Sequence, residues 1–268
     1  PTVLENSFVH TYGERPFPKA CAEGRLEDVK SMVEIVMPYF DTNDLKVRKT
    51  WSGINESKSK EGKTGVYLAA FNGHADVAKY LLGKGANEED VWELYKRKYG
   101  DTPFPTACAK GNLKDVQLMV ECLPTLDINE SKSKEGKTGA YLAACALPRV
   151  QGHEDVVKYL LGKGANDQDV VEGTWARFLG EENVPIWKQG GAFTKLRIIN
   201  KGITDYDCNF LAPDLSKMKS LKWLYLDHNR IGDAGLEHLS KALPEMKSLK
   251  ELWLNNNQIG DAGLEHLS

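Results

Sequence analysis

Apolar side chains recur along this chain in two rhythms, and the rhythm changes near residue 190. In the last third, Leu221, Leu224 and Leu226 fall at the spacing of a short strand with one buried face. Leu236, Leu239 and Leu243 follow at helical spacing. The stretch that begins at Leu221 returns almost residue for residue from Leu249 to the end, 28 positions later. A fainter copy precedes it by the same interval, in Phe193, Leu196, Ile198, Ile203, Asp205, Cys208, Leu211, Leu215 and Met218. Asn229 and Asn257 stand where the chain leaves each strand, a place where an amide side chain can bond the turn backbone. Lys201 holds that position in the fainter copy. A fixed period predicts stacked strand–helix units that bury their apolar faces only against one another. The third copy's core face is unfinished at Ser268, so the pattern reads as a fragment.

Residues 13–166 follow a different unit. Gly13-Glu14-Arg15-Pro16-Phe17-Pro18 and the Ala20-Cys21-Ala22 after it return as Gly100-Asp101-Thr102-Pro103-Phe104-Pro105 and Ala107-Cys108-Ala109. Gly62-Lys63-Thr64-Gly65-Val66-Tyr67-Leu68-Ala69-Ala70 returns as Gly136-Lys137-Thr138-Gly139-Ala140-Tyr141-Leu142-Ala143-Ala144. Each of the second pair leads to a Gly-His turn, at Gly73-His74 and Gly152-His153, and both end in Gly-Lys-Gly-Ala-Asn. The order A-B-A-B indicates a duplicated block. Small residues predict a first helix that neighbours approach closely; Gly24, Gly73, Gly111 and Gly152 end it. Val77, Tyr80, Leu81 and Leu82 predict a second, amphipathic helix, closed by Gly85 as its copy is by Gly164.

These strings resemble the ankyrin repeat, whose units carry Gly-x-Thr-Pro-Leu-His, Ala-Ala, Gly-His, Val-Val and Leu-Leu-x-x-Gly-Ala. The resemblance covers residues 13–169 as four irregular units, after a tail at 1–12. Pro18, Tyr67, Pro105 and Tyr141 replace the family's His, and Gly65 and Gly139 its Pro. Inserts fall near 37–53 and at 146–150, where loops tolerate length. Residues 193–268 resemble leucine-rich repeats of the ribonuclease-inhibitor-like type, three copies with the last incomplete. Between the arrays, residues 170–192 are expected to form a linker and capping helix, with Val170, Val171, Trp175, Phe178 and Leu179 on its apolar face. The fold class expected is a repeat solenoid, an all-α ankyrin array followed by an α/β leucine-rich array.

Charge and chemistry narrow the function. The net charge is −3, and the leucine-rich region balances its acids and bases, which argues against nucleic acid. No apolar run reaches membrane-spanning length. Five cysteines at irregular spacing, without a Cys-x-x-Cys pair, read as reduced, buried thiols of a cytoplasmic protein. Gly62-Lys63-Thr64 lacks the first glycine of a phosphate loop, since Ser57 stands there, as Ser131 does in the copy. His74 and His153 read as turn residues; His238 and His266 read as surface residues without metal-spaced partners. No nucleophile or acid–base pair is recognisable. No enzyme, cofactor, metal or small-molecule substrate is expected.

A binding role remains, with protein partners. The leucine-rich resemblance implies that side chains between the buried strand positions line a concave face. In successive repeats these are Lys195, Trp223 and Glu251; Arg197, Tyr225 and Trp253; then Ile199, Asp227 and Asn255. Aromatic residues facing solvent in this way mark partner sites. The repeated polar hairpins, with Lys58, Lys60, Lys132 and Lys134, are a second candidate surface. The reading is a non-catalytic scaffold or adaptor. Alternatives implied by the leucine-rich resemblance are a small-GTPase regulator, for which no residue matches the activating loop, and the ligand-sensing part of an immune-type receptor.

Overall fold

The computed structural model describes residues 2–39, 53–146, 152–184, 187 and 193–267. The two expected inserts lie mostly outside these residues. Packing divides the chain into two units, residues 1–104 with 114–127, and residues 105–113 with 128–268.

The first unit is helical. Residues 1–12 are not the expected tail: helix α1 spans Thr2–Tyr12 and buries Phe8 and Tyr12 one turn apart. Helix α2 (Pro16–Ala22) starts with proline in its first turn, where no backbone hydrogen bond is lost. Helix α3 (Leu26–Ser31) runs into one π turn, Met32–Val36. Helices α4 (Gly65–Asn72), α5 (Ala75–Gly83) and α6 (Glu88–Tyr99) follow. Thr64 caps α4, its hydroxyl accepting from the Tyr67 N–H. Gly73 ends α4 at φ 79°, a left-handed conformation that favours glycine.

The departures from the ankyrin pattern have local reasons. A Cβ on Gly65 would stand 2.8 Å from Cys21 Sγ and 2.9 Å from Phe17 Cε1, so a larger residue there would force α2 and α4 apart. The turn that lacks the family's His is tied otherwise. Thr64 Oγ1 donates to Asp90 Oδ2 at 2.7 Å, and Arg15 Nη1 donates to the carbonyls of Lys58 and Ser59 at 2.6 and 2.7 Å. Helices α7 (Pro103–Ala109) and α8 (Leu113–Cys122) repeat the α2–α3 pair in sequence.

In the second unit, α9 (Gly139–Ala146) and α10 (His153–Gly162) repeat α4 and α5. Helix α11 (Asp167–Leu179) begins earlier than expected, because the Asn166 side chain accepts from the Gln168 N–H and caps it. Three parallel strands then follow in order: β1 (Lys195–Arg197), β2 (Trp223–Tyr225) and β3 (Glu251–Trp253). Helix α12 (Asp205–Leu215) links the first two strands, α13 (Asp233–Ala242) the last two, and α14 (Asp261–Glu265) follows β3. Leu196, Leu224 and Leu252 share one register, and the chain is a repeat solenoid, mostly helical with this small parallel sheet.

One core runs through the second unit. Trp175, Phe178 and Trp187 belong to the same buried cluster as Leu196, Leu211 and Leu224. Trp175 is fully buried, stacks on Trp187 at 5.6 Å and donates from Nε1 to Asp214 Oδ2 at 3.0 Å. Arg177 pairs with Asp207, the third residue of α12. Lys98 on α6 pairs at 2.6 Å with Asp115, the third residue of α8. Tyr12 on α1 donates to Asp28, the third residue of α3. Helices α1, α6 and α11 are thus one element used three times, and the last docks a strand–helix unit instead of another helix pair.

Candidate functional site

The sheet face is built by strand alternation. Each strand turns its central leucine inward, so the flanking residues face out. Register aligns Lys195, Trp223 and Glu251 in one row, and Arg197, Tyr225 and Trp253 in the next. The second row is in ring contact. Tyr225 and Trp253 lie 5.6 Å apart at 36°, and Trp253 is 45% exposed. Lys195 Nζ stands 5.1 Å from the Tyr225 ring centroid and Arg197 Cζ 5.5 Å, both cations resting on the negative ring face. Trp253 Nε1 donates to Glu251 Oε2 at 3.0 Å. Trp223 is half-buried beside them.

The third row differs from expectation. Asp227 is 7% exposed, and its Oδ1 accepts from the Asn255 N–H at 3.0 Å. A carboxylate engaged with backbone inside the array ties one repeat to the next, which sets Asp227 apart from the exposed residues of the other two rows. Asn255 is exposed and Ile199 half-buried.

Below the face, asparagines hold the repeats in register. Asn229 Nδ2 donates to the carbonyls of Ile198 and Leu226 at 2.7 and 2.8 Å. Its Oδ1 accepts from Lys201 and Ile203 N–H at 3.0 and 3.1 Å. Asn257 repeats the pattern toward Leu226, Leu254 and Ile231. The residue before each such position, Asn200, His228 or Asn256, is left-handed at φ 55–57°. The residue types fit, because Asn and His adopt the left-handed region more readily than most non-glycine residues.

The two hairpins close through bridges between Lys58 and Thr64, and between Lys132 and Thr138. Lys58, Lys60, Lys132 and Lys134 are all exposed. Lys60 borders a cleft of about 490 Å³ with Tyr12, Pro18, Lys19 and Leu68. Lys132, which pairs with Glu130 at 3.3 Å, borders one of about 310 Å³ with Tyr141 and Asp169. Hairpins and sheet face are separate candidate surfaces, with no side chain common to both.

The remaining candidates have structural duties. His74 Nε2 meets the Ala22 carbonyl at 3.1 Å and His153 Nε2 the Ala109 carbonyl at 2.8 Å, each tying one helix pair to the one before it. All five cysteines are free; four are buried and Cys145 is half-buried, more open than expected. Burial pushes the thiols of Cys21, Cys108 and Cys208 well above the ordinary range, and Cys122 up to about 12. Such thiols are poor nucleophiles at neutral pH. Among the described residues no group of His, Cys, Asp and Glu could hold a metal, and no helix is long and apolar enough to cross a membrane.

Comparison with known proteins agrees with both repeat types. A family model of ankyrin repeats, three copies, matches residues 17–131, and one of leucine-rich repeats, two copies, matches residues 219–267. Ankyrin repeats are therefore followed by leucine-rich repeats. A Caenorhabditis elegans homolog of transient receptor potential cation channel subfamily A member 1 is 30% identical over 127 residues. That match covers 47% of this chain and only 9% of the channel homolog. A crystal structure of an ankyrin repeat protein is 18% identical, covering 62% of this chain and 94% of that one at a TM-score of 0.33. Both repeat families are generally protein-interaction modules and typically non-catalytic.

Proposed function

We propose that this chain is a non-catalytic scaffold or adaptor that binds protein partners through the outer face of its leucine-rich strands. In this reading residues 193–268 act as an α/β leucine-rich array, and the ankyrin hairpins supply a secondary contact at Lys58, Lys60, Lys132 and Lys134. The observation that carries it is the Tyr225–Trp253 pair, with Trp253 45% exposed on a face whose scaffold is fixed from beneath. Rigid aromatics bring large contact area at small entropic cost, which is what a binding hot spot needs. Free, buried thiols support a cytoplasmic location.

Partner capture followed by affinity and melting measurements tests the reading. Trp253→Ala should cost about 2 kcal/mol or more of binding with little change in stability. Leu224→Ala should do the reverse, costing roughly 2–5 kcal/mol of stability through a core cavity. Unchanged affinity in both Trp223→Ala and Trp253→Ala would move the contact to the hairpins.

A further inference from the structure

The sheet face is chemically polar from one edge to the other, and the direction of that polarity points to a partner. Lys195 and Arg197 on β1 are exposed, and among the described residues neither lies within ion-pair distance of a carboxylate. Their charged ends stand instead over the Tyr225 ring, and both side chains are exposed, so their remaining donors face solvent. The middle of the face is aromatic, Tyr225 with Trp253. Glu251 on β3 is the acid of these two rows, and it is turned toward the Trp253 indole N–H. The face therefore runs from two unpaired cations, over an aromatic floor, to one occupied carboxylate.

We propose that this face takes an extended acidic peptide segment that crosses the strands, its carboxylates at Lys195 and Arg197 and an apolar side chain on Trp253. The proposal rests on the interaction reading above and adds the partner's chemistry. Strand spacing sets the pattern. Two steps of about 4.8 Å separate β1 from β3, and a segment extended as polyproline II advances about 3.1 Å per residue with every third side chain on the same side. The apolar residue should therefore follow the acid by about three positions. Guanidinium over an aromatic ring keeps its in-plane donors directed outward, so Arg197 is suited to a carboxylate arriving along the face. Cations beside aromatics also suit single-stranded nucleic acid. The carboxylate of Glu251, and an equal number of acids and bases from residue 190 on, favour the peptide.

The test uses the full chain and fluorescein-labelled nonapeptides of Gly and Ser that carry two adjacent Asp and one Phe three residues on. Anisotropy should show this peptide binding at least tenfold more tightly than the same peptide with Lys for Asp, with the gap narrowing as salt rises. Lys195→Glu with Arg197→Glu should invert the preference at an unchanged urea midpoint. Trp253→Ala and Phe→Ser in the peptide should each weaken binding about tenfold, and together little more than either alone. Equal affinity for the Asp and Lys peptides, with binding still lost in Trp253→Ala, overturns the acidic-partner assignment and leaves the interaction face standing. Loss of neither charge preference nor affinity in Trp253→Ala overturns the face itself. No binding of the Asp peptide at millimolar concentration, or tighter binding of an oligothymidylate, overturns the proposal.

Discussion

Asp207→Ala is the sharpest perturbation of this structure. The carboxylate is 1% exposed and pairs with Arg177, whose side chain is 9% exposed. Only one guanidinium nitrogen is bonded in that pair; Arg177 Nε and Nη1 are buried without a protein partner. Burial lowers the Arg177 pKa even though Asp207 raises it, so desolvation outweighs the pairing. Asp207 has a second duty: its Oδ2 accepts from the Thr204 N–H at 2.9 Å and completes a capping box on α12. Its removal strands a buried cation, at about 3–5 kcal/mol, and breaks a cap worth about 1 kcal/mol. The expected loss is roughly 4–6 kcal/mol, comparable with the whole stability of many domains. Arg177→Met removes the desolvated cation but leaves the Asp207 carboxylate buried, held by the Thr204 N–H and hydroxyl and able to protonate, so it should cost about 3 kcal/mol, less than Asp207→Ala because the cap survives. The double variant should return to near the cost of the cap alone. Hydrogen exchange resolved by peptide, with urea unfolding, reads all three. Protection in α11 and α12 should fall together in Asp207→Ala, by about a thousandfold or more. The reasoning fails if Arg177→Met is as damaging as Asp207→Ala, or if α12 loses protection while α11 keeps it.

Other consequences can be measured alongside. Asn229→Ala leaves the buried Ile203 N–H and the part-buried Lys201 N–H without their acceptor and should cost roughly 1–3 kcal/mol in urea unfolding, more than Asn257→Ala at its half-buried site. The Cys122 thiol ordinarily ionises at 9.0 and in the fold at about 12, so its contribution is whole below pH 9 and falls as pH rises toward 12. Cys122→Ser keeps a donor for the Ala75 carbonyl and should flatten that decline by about 1.4 kcal/mol per pH unit, measured as urea midpoints between pH 9 and 11. Residues 193–268 expressed alone lose Trp175, Phe178 and Trp187 from their core and should aggregate or melt without a cooperative transition. A sharp monomeric melt of that segment would show that α11 is dispensable.

What the sequence disclosed depended on whether a feature repeats in register. Both rhythms were legible, and so were the face rows of the sheet, because strand alternation converts a leucine pattern directly into inward and outward positions. Asp227 departs from that alternation in its burial. Alternation places it outward, but it sits past the end of β2, where a carboxylate reaches the backbone of the next repeat. The reason for Gly65 lay in tertiary distance to Cys21 and Phe17, which no single unit contains.

The junction shows most clearly why a repeat reading stops short. Val170 and Trp175 marked α11 as amphipathic, yet only its kinship with α1 and α6 explains what it packs on. That kinship is faint in sequence, because Tyr12, Tyr99 and Phe178 share little beyond an aromatic ring near a helix end. The partner changes as well: Asp28 and Asp115 belong to helix pairs, whereas Asp207 belongs to a strand–helix unit of another period. A buried ion pair is costly unless its geometry is fixed, so it constrains register even where it adds little stability. Arg177 and Asp207 therefore fix where the first leucine-rich unit meets α11, while the asparagine ties hold the later units to the first.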